Sequence, residues 1–300
     1  MIKVLLTGSN GQLGNAIKYS IPENIRLIPL TKRELDLSDK KACEEVVREI
    51  KPNWVINAGA YTNVEEAEEN PDLCLKINRD GPKHIAIGLK KTGGKLIHIS
   101  TDYVFDGKNK NPYKVNEKRN PISVYGFSKS CGEEEIEKVM GNSGNLSIIR
   151  TSWLMGPTGK NFIKTMLNLH QSKDRIEVIS DQIGSPTSTF SLSNLCWKII
   201  KKFSITSKPQ KMPVILHWSD EGETSWAEIA RFIGEYSYEL SIINRKSKVY
   251  PILSKDYSTK AKRPLYSSLD CSETEKLFNI KQVPWKNSIQ SIIKEIMLQN

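Results

Sequence analysis

The stretch IKVLLTGSNGQLG, Ile2–Gly14, decides the fold. Lys3–Thr7 is a short, mainly apolar run of the kind that parallel sheets bury on both faces. It leads straight into Gly8, Gly11 and Gly14, spaced three apart. Glycines here permit a tight turn and let backbone approach a pyrophosphate, while the N-terminus of a following helix offers free N–H groups and a positive dipole end. The spacing is G-x-x-G-x-x-G, not the G-x-G-x-x-G of many dehydrogenases. A glycine triplet alone is a weak signal; one set between an N-terminal strand and a helix is much stronger. Gly8, Asn10, Gly11, Gln12, Leu13 and Gly14 are therefore the expected nucleotide cradle, against the alternative of a plain structural turn.

Further apolar runs follow at Arg26–Leu30, Trp54–Ala58, Lys95–Ser100 and Leu146–Thr151. Amphipathic segments separate them. In DKKACEEVVREI, which Ser38 can cap, Ala42, Val46, Val47 and Ile50 share one face and Lys51-Pro52 closes the helix. A second helix is expected over Pro71–Leu89 and a third from near Ser123 to about Gly141. Alternation of this kind predicts an α/β fold with a Rossmann-type doubly wound parallel sheet. After about residue 155 the pattern loosens into a strand at Arg175–Ser180, a helix near Ser188–Lys202 and a linker, SKPQKMP, at Ser207–Pro213. An amphipathic helix with a partial cap at Thr224, which has Ala227 where a reciprocal Glu would stand, comes next. A last helix at Trp285–Leu298 carries Ile289, Ile292, Ile293 and Ile296. The expected division is a dinucleotide-binding domain over 1–155 and a smaller, mainly substrate-binding C-terminal domain over 156–300. The segment 175–203 is free to pack back on the first.

Composition narrows the function classes. The 300 residues are 26% charged and 38% hydrophobic, ordinary for a globular chain. No apolar run approaches the ~20 residues a bilayer span needs, and the N-terminus enters its glycine turn too soon for a signal peptide, so a cytoplasmic protein is expected. The five cysteines are widely spaced and form no C-x-x-C pair, against both a disulfide framework and a zinc site. His98 sits inside an apolar strand and reads as a packed core histidine. The net charge of +10 is spread along the chain without a basic helix or an aromatic-interleaved patch. That argues against nucleic acid and membrane as partners and leaves a small anionic ligand compatible.

Two segments carry the chemistry. At the tip of the second strand, where a cofactor's ribose is read, stand Thr31, Lys32 and Arg33 with no acid among the three. That favours NADPH over NADH, the alternative being that Lys32 and Arg33 are solvated turn residues. Asp36 follows at a distance that allows a ribose or adenine contact. In VYGFSKSCGEEEI, Tyr125 and Lys129 lie one helical turn apart. They are either a half-buried tyrosine beside a surface lysine or a proton donor with its pKa adjuster. In the second case a fixed ammonium would lower the phenol by about 1–3 units.

TGSNGQLG, NAGAYTNVEEAE, STDYVFDG, YGFSK, RTSWL and DQIGSPT occur in the order found in the extended short-chain dehydrogenase/reductases. Among these the chain most resembles the dTDP-4-dehydrorhamnose reductase family, over roughly residues 2–265. The resemblance implies NAD(P)H-dependent reduction of a 4-keto nucleotide-diphosphate sugar, dTDP-4-dehydro-L-rhamnose, with Tyr125 and Lys129 catalytic and Thr101 completing the set. It implies cofactor contacts at Ala58, Gly59 and Ala60 and at Asp36 and Leu37. Asp102, Trp153, Gln182 and Thr187 fall on its sugar-nucleotide side, and Arg263 matches a basic residue that meets the diphosphate. Some members use a magnesium ion at a subunit contact, although no clear carboxylate cluster specifies one here; a homodimer is compatible. Two departures are Glu65, where Asp is usual, and Met155, where an aromatic residue is common near the sugar. Tyr103 stands where sugar-nucleotide dehydratases place Glu, which disfavours dehydration. Epimerases share the triad and stay open, as does a cofactor-binding regulatory role like that of the methionine adenosyltransferase beta subunit.

Overall fold

A computed structural model describes residues 1–204 and 210–299. The expected linker at Ser207–Pro213 thus lies partly outside the described residues. Six parallel strands form the main sheet: β1 (Ile2–Thr7), β2 (Ile25–Leu30), β3 (Trp54–Asn57), β4 (Lys95–Thr101), β5 (Leu146–Thr151) and β6 (Ile215–Trp218). Their spatial order is β6-β5-β4-β3-β1-β2. The central strands are mainly apolar because both faces are covered: β3 and β5 are buried at every residue, and their few polar side chains are buried with them. The expected doubly wound α/β sheet is the fold observed.

Helices α1 (Gln12–Tyr19), α2 (Lys40–Ile50), α3 (Gly81–Thr92) and α4 (Val124–Met140) connect the first five strands. Val47, Ile85, Leu89 and Ile136 close one face of the sheet; Leu13, Ile17, Leu192 and Ile199 close the other. Asp39, not Ser38, caps α2: its carboxylate accepts from the Lys41 and Ala42 N–H groups, each at 3.0 Å. Ser38 donates its hydroxyl to Asp36 Oδ1 at 2.8 Å and has none left for the helix. The second expected helix is continuous only through a π-turn at Lys76–Asp80.

The sheet's edge strand β6 comes from beyond the 1–155 boundary. So does α6 (Thr189–Ser204), which follows α5 (Phe162–Ser172) and packs against α1. Arg175–Ile179, by contrast, pairs with Lys248–Ile252 in a separate two-stranded sheet. Around that ribbon, α5, α7 (Trp226–Glu239) and α8 (Trp285–Leu298) bury a third core of Ile163, Ile233, Ile289, Ile292 and Ile293. Among the described residues, no helix is long and apolar enough to cross a membrane.

Candidate active site

Parallel strands bring their C-terminal ends to one edge. The chain leaves β1 toward β2 on one side, while β3 and β4 lie on the other, so a crevice opens at this reversal. A cavity of about 650 Å³ runs along it, lined by the glycine turn, Ala58–Ala60, Ile99–Tyr103 and Thr151–Leu154.

The glycine turn is built for close approach. Gly8 has φ +65°, and a Cβ there would lie 2.6 Å from Gly59 Cα. A Cβ on Gly14 would strike the Gly8 carbonyl. Gly11 caps α1 without a side-chain hydrogen bond, which leaves the first-turn N–H groups for an anion. Gln12 Oε1 accepts from Gly156 N at 3.1 Å and Asn161 Nδ2 at 3.2 Å, and this loop sets Lys160 at the cavity mouth. A small cradle with free N–H groups and a nearby ammonium fits a dinucleotide's pyrophosphate. Gly8→Ala should cost about 1–2 kcal/mol in backbone strain plus about 1–3 kcal/mol in overpacking. Equilibrium unfolding and dinucleotide titration should both show the loss; an unchanged affinity would refute this use of the turn.

At the tip of β2, Lys32 and Arg33 are exposed. Glu34, one residue beyond the stretch read for ribose selection, accepts from Thr31 N at 2.8 Å and is held in the turn. Asp36 Oδ1 accepts from Ser38 N at 2.9 Å, a bond that lowers its pKa. Leu37 is buried beneath Gly59 in the core.

Ser123 caps α4 by accepting from Gly126 N at 3.2 Å, so Tyr125 and Lys129 project from the helix's first turns into the cleft. Thr101 closes β4 beside them. Its hydroxyl donates to Asp102 Oδ1 at 2.9 Å and accepts from Tyr103 N at 3.2 Å. The Tyr103 and Tyr125 rings meet edge to face, 5.5 Å between centroids. Lys129 Nζ donates to Ile99 O at 2.6 Å and lies 3.2 Å from His98 Nε2.

The electrostatics differ from the expected ones. Burial pushes the Tyr125 phenol up; the Thr101 hydroxyl opposes this and the Asp102 carboxylate adds to it. Burial brings Lys129 itself down to about 8, against the pull of Glu133 and Cys74. Burial also raises Asp102 to about 6, and its Oδ2 has no hydrogen-bond partner among the described residues.

Trp153, at φ +45°, is a bulky residue in the left-handed region, held there while its ring stacks on Trp226 at 3.9 Å. Trp226 also lines the cavity and is not among the residues the sequence points to. It opens α7, whose cap is Ser225 rather than Thr224. The Ser225 hydroxyl accepts from Glu228 N at 3.2 Å and Glu228 accepts from Ser225 N at 3.1 Å, a complete capping box one residue later than expected. Thr31, Lys32, Arg33, Asp36 and Leu37 do not line the cleft, nor do three residues expected on the sugar-nucleotide side, Gln182, Thr187 and Arg263. Gln182 Nε2 donates to Ser254 Oγ at 3.0 Å, and the buried Thr187 accepts from the Thr151 hydroxyl at 3.0 Å. Arg263 pairs with Glu65 at 2.5 Å, so a protein carboxylate already answers its charge. Met155 is buried in the C-terminal core. Among the described residues, no cluster of three His, Cys, Asp or Glu could hold a metal ion.

Residues 2–298 match the family described as RmlD substrate binding domain. A dTDP-4-dehydrorhamnose reductase from Sinorhizobium fredii is 34% identical over 298 residues, 99% of each chain. The crystal structure of dTDP-4-dehydrorhamnose reductase from Bacillus anthracis in complex with NADP is 34% identical, with TM-score 0.88 over 98% of this chain and 100% of that one. The crystal structure of a dTDP-4-dehydrorhamnose reductase from Clostridium acetobutylicum is 36% identical, with TM-score 0.88 over 100% of both chains.

Proposed function

The chain belongs to the RmlD substrate binding domain family, and from that premise we propose that it reduces dTDP-4-dehydro-L-rhamnose to dTDP-L-rhamnose with NAD(P)H. When bound, the reduced nicotinamide supplies hydride to C4 of the sugar. The chain's own residues manage the oxygen. Tyr125, raised by burial and so protonated across neutral pH, donates its proton to the carbonyl oxygen. Thr101 turns its hydroxyl from Asp102 toward that oxygen as negative charge grows there. Lys129 in its ammonium form holds the nicotinamide ribose and offsets the charge left on Tyr125. Asp102 and the Trp153–Trp226 stack hold the sugar.

One observation supports this reading most: a single cleft is lined both by the glycine cradle and by Thr101, Tyr125 and Lys129. NADPH is the preferred donor on this reading, given exposed Lys32 and Arg33 at the β2 tip and the relative solved with NADP. Arg263 reaches the diphosphate by exchanging Glu65 for it. The cofactor-binding unit comprises residues 1–155 with α6, β6 and the segment 269–278, which shares its core, and the C-terminal core around α5, α7 and α8 closes over the sugar.

The test is purified protein with NADPH or NADH and the 4-keto sugar nucleotide generated in situ, followed by loss of nicotinamide absorbance. Oxidation of neither cofactor would refute the reading. Trp226→Ala removes a stacking face worth about 0.5–1.5 kcal/mol. KM for the sugar nucleotide should rise roughly 2- to 13-fold by that energy, while the Kd for NADPH stays unchanged. A loss in cofactor affinity instead would place Trp226 on the wrong side of the cleft.

A further inference from the structure

Thr7, Asn57 and His98 stand in register across β1, β3 and β4: Thr7 pairs with Asn57 and Asn57 with His98. Residues at one register level of a parallel sheet share a face. All three are buried, and they form a continuous polar row across three strands. The row begins at the cofactor-side turn, where Gly59 N donates to Thr7 Oγ1 at 3.2 Å. Thr7 Oγ1 donates to Asn57 Oδ1 at 2.6 Å, Asn57 Nδ2 lies 2.9 Å from His98 Nδ1, and His98 Nε2 lies 3.2 Å from Lys129 Nζ.

The direction of the row follows from its first member. The Thr7 hydroxyl accepts from Gly59, so its own proton needs an acceptor, and Asn57 Oδ1 is the one in reach. The Asn57 amide then presents its NH₂ to His98, and Nδ1 must be the bare nitrogen. A neutral His98 therefore carries its proton on Nε2. The opposite direction would turn the Asn57 NH₂ onto Thr7 and leave the threonine proton without an acceptor in the row. His98 stays neutral because burial, then the Lys129 charge, hold its pKa well below the ordinary value.

We propose that His98 is a positioning residue whose Nε2–H, aligned by Thr7 and Asn57, faces Lys129 Nζ and favours the amine over the ammonium there. An amine can accept from Nε2–H while donating to Ile99 O; an ammonium would set N–H against N–H. The other groups facing Lys129 are Tyr125 and Glu133 on α4 and Cys74 from the helix Pro71–Leu75. Glu133 is already engaged by Arg150, Arg119 and Ser100. On the reading of Lys129 as the ammonium partner of Tyr125, on which the kinetic consequence rests, the row sets the pH above which that charge is lost.

The experiment reads protons, not turnover. In ¹⁵N-histidine-labelled wild-type protein, the His98 ring should show Nε2 protonated and Nδ1 bare; Nδ1 protonated would overturn the proposal whether or not the protein is a reductase. Asn57→Asp supplies a carboxylate that accepts from both Thr7 and Nδ1–H, turning Nε2 into an acceptor for the ammonium. The Lys129 ¹³Cε titration should then move up by about one pH unit or more, a tenfold gain in proton affinity. The alkaline limb of kcat/KM should follow it. An unshifted Lys129 titration in a folded Asn57→Asp protein overturns the proposal, whereas absent turnover in the wild-type protein, with the variant's titration shifted, defeats only the reductase reading.

Discussion

Tyr125→Phe should lower kcat by about 10²–10⁴-fold, the range general acid catalysis contributes. Phe keeps the edge-to-face packing on Tyr103 and removes one oxygen, so the fold and the NADPH Kd should persist. KM should change little, because the lost interaction is with an oxygen that becomes basic only as hydride arrives. Burial holds the phenol protonated, so on the proposed role the donor is loaded at the start of each cycle. Single-turnover kinetics with bound NADPH isolate this step from product release. A rate within a few-fold of wild type would remove Tyr125 from the proton-donor role and shift attention to Asp102.

The second large effect concerns stability. Glu133 and Arg150 form an ion pair at 2.7 Å with both side chains buried between α4 and the sheet. Arg119 adds a second cation at 3.1 Å, and the Arg150 guanidinium sits 5.1 Å from the Phe105 ring. The arginines and the Ser100 hydroxyl outweigh burial and keep Glu133 ionised, with a lowered pKa. Glu133→Leu leaves the Arg150 charge desolvated and unanswered, which costs about 3–5 kcal/mol. Urea unfolding should show it as a lower midpoint. Replacing both partners, as Glu133→Leu with Arg150→Met, should recover most of that loss, because apolar substitutes of similar volume avoid the desolvation penalty. If the double variant is no better than the single one, the pair is not the source of the effect.

Local signals were the legible ones. The glycine turn and the Tyr125–Lys129 pair each occupy a few consecutive positions whose geometry follows from chain stereochemistry alone. What the sequence concealed depends on residues far apart in the chain. Trp226 meets Trp153 only because two lobes close on each other. The polar row from Thr7 to His98 needs the register of three strands, and His98 by itself reads as an ordinary core residue. Arg263 is legible as a cation, but its partner Glu65 lies 198 positions away, so its engagement was not. The caps failed by one residue each: Ser38 and Thr224 have suitable hydroxyls, yet Asp39 and Ser225 hold the better positions. The sign of the Tyr125 shift failed because burial, which sequence does not report, is the largest influence on the phenol and raises it.

The late arrival of β6 has a consequence for synthesis. A ribosome releases β5 long before Ile215–Trp218, so the nascent sheet waits with one flank of a strand that is buried throughout in the finished fold unpaired. Such a flank is a template for association with other chains. A fragment ending at residue 155 should therefore collect in inclusion bodies, and slowing elongation before codon 215 should lower the yield of native protein.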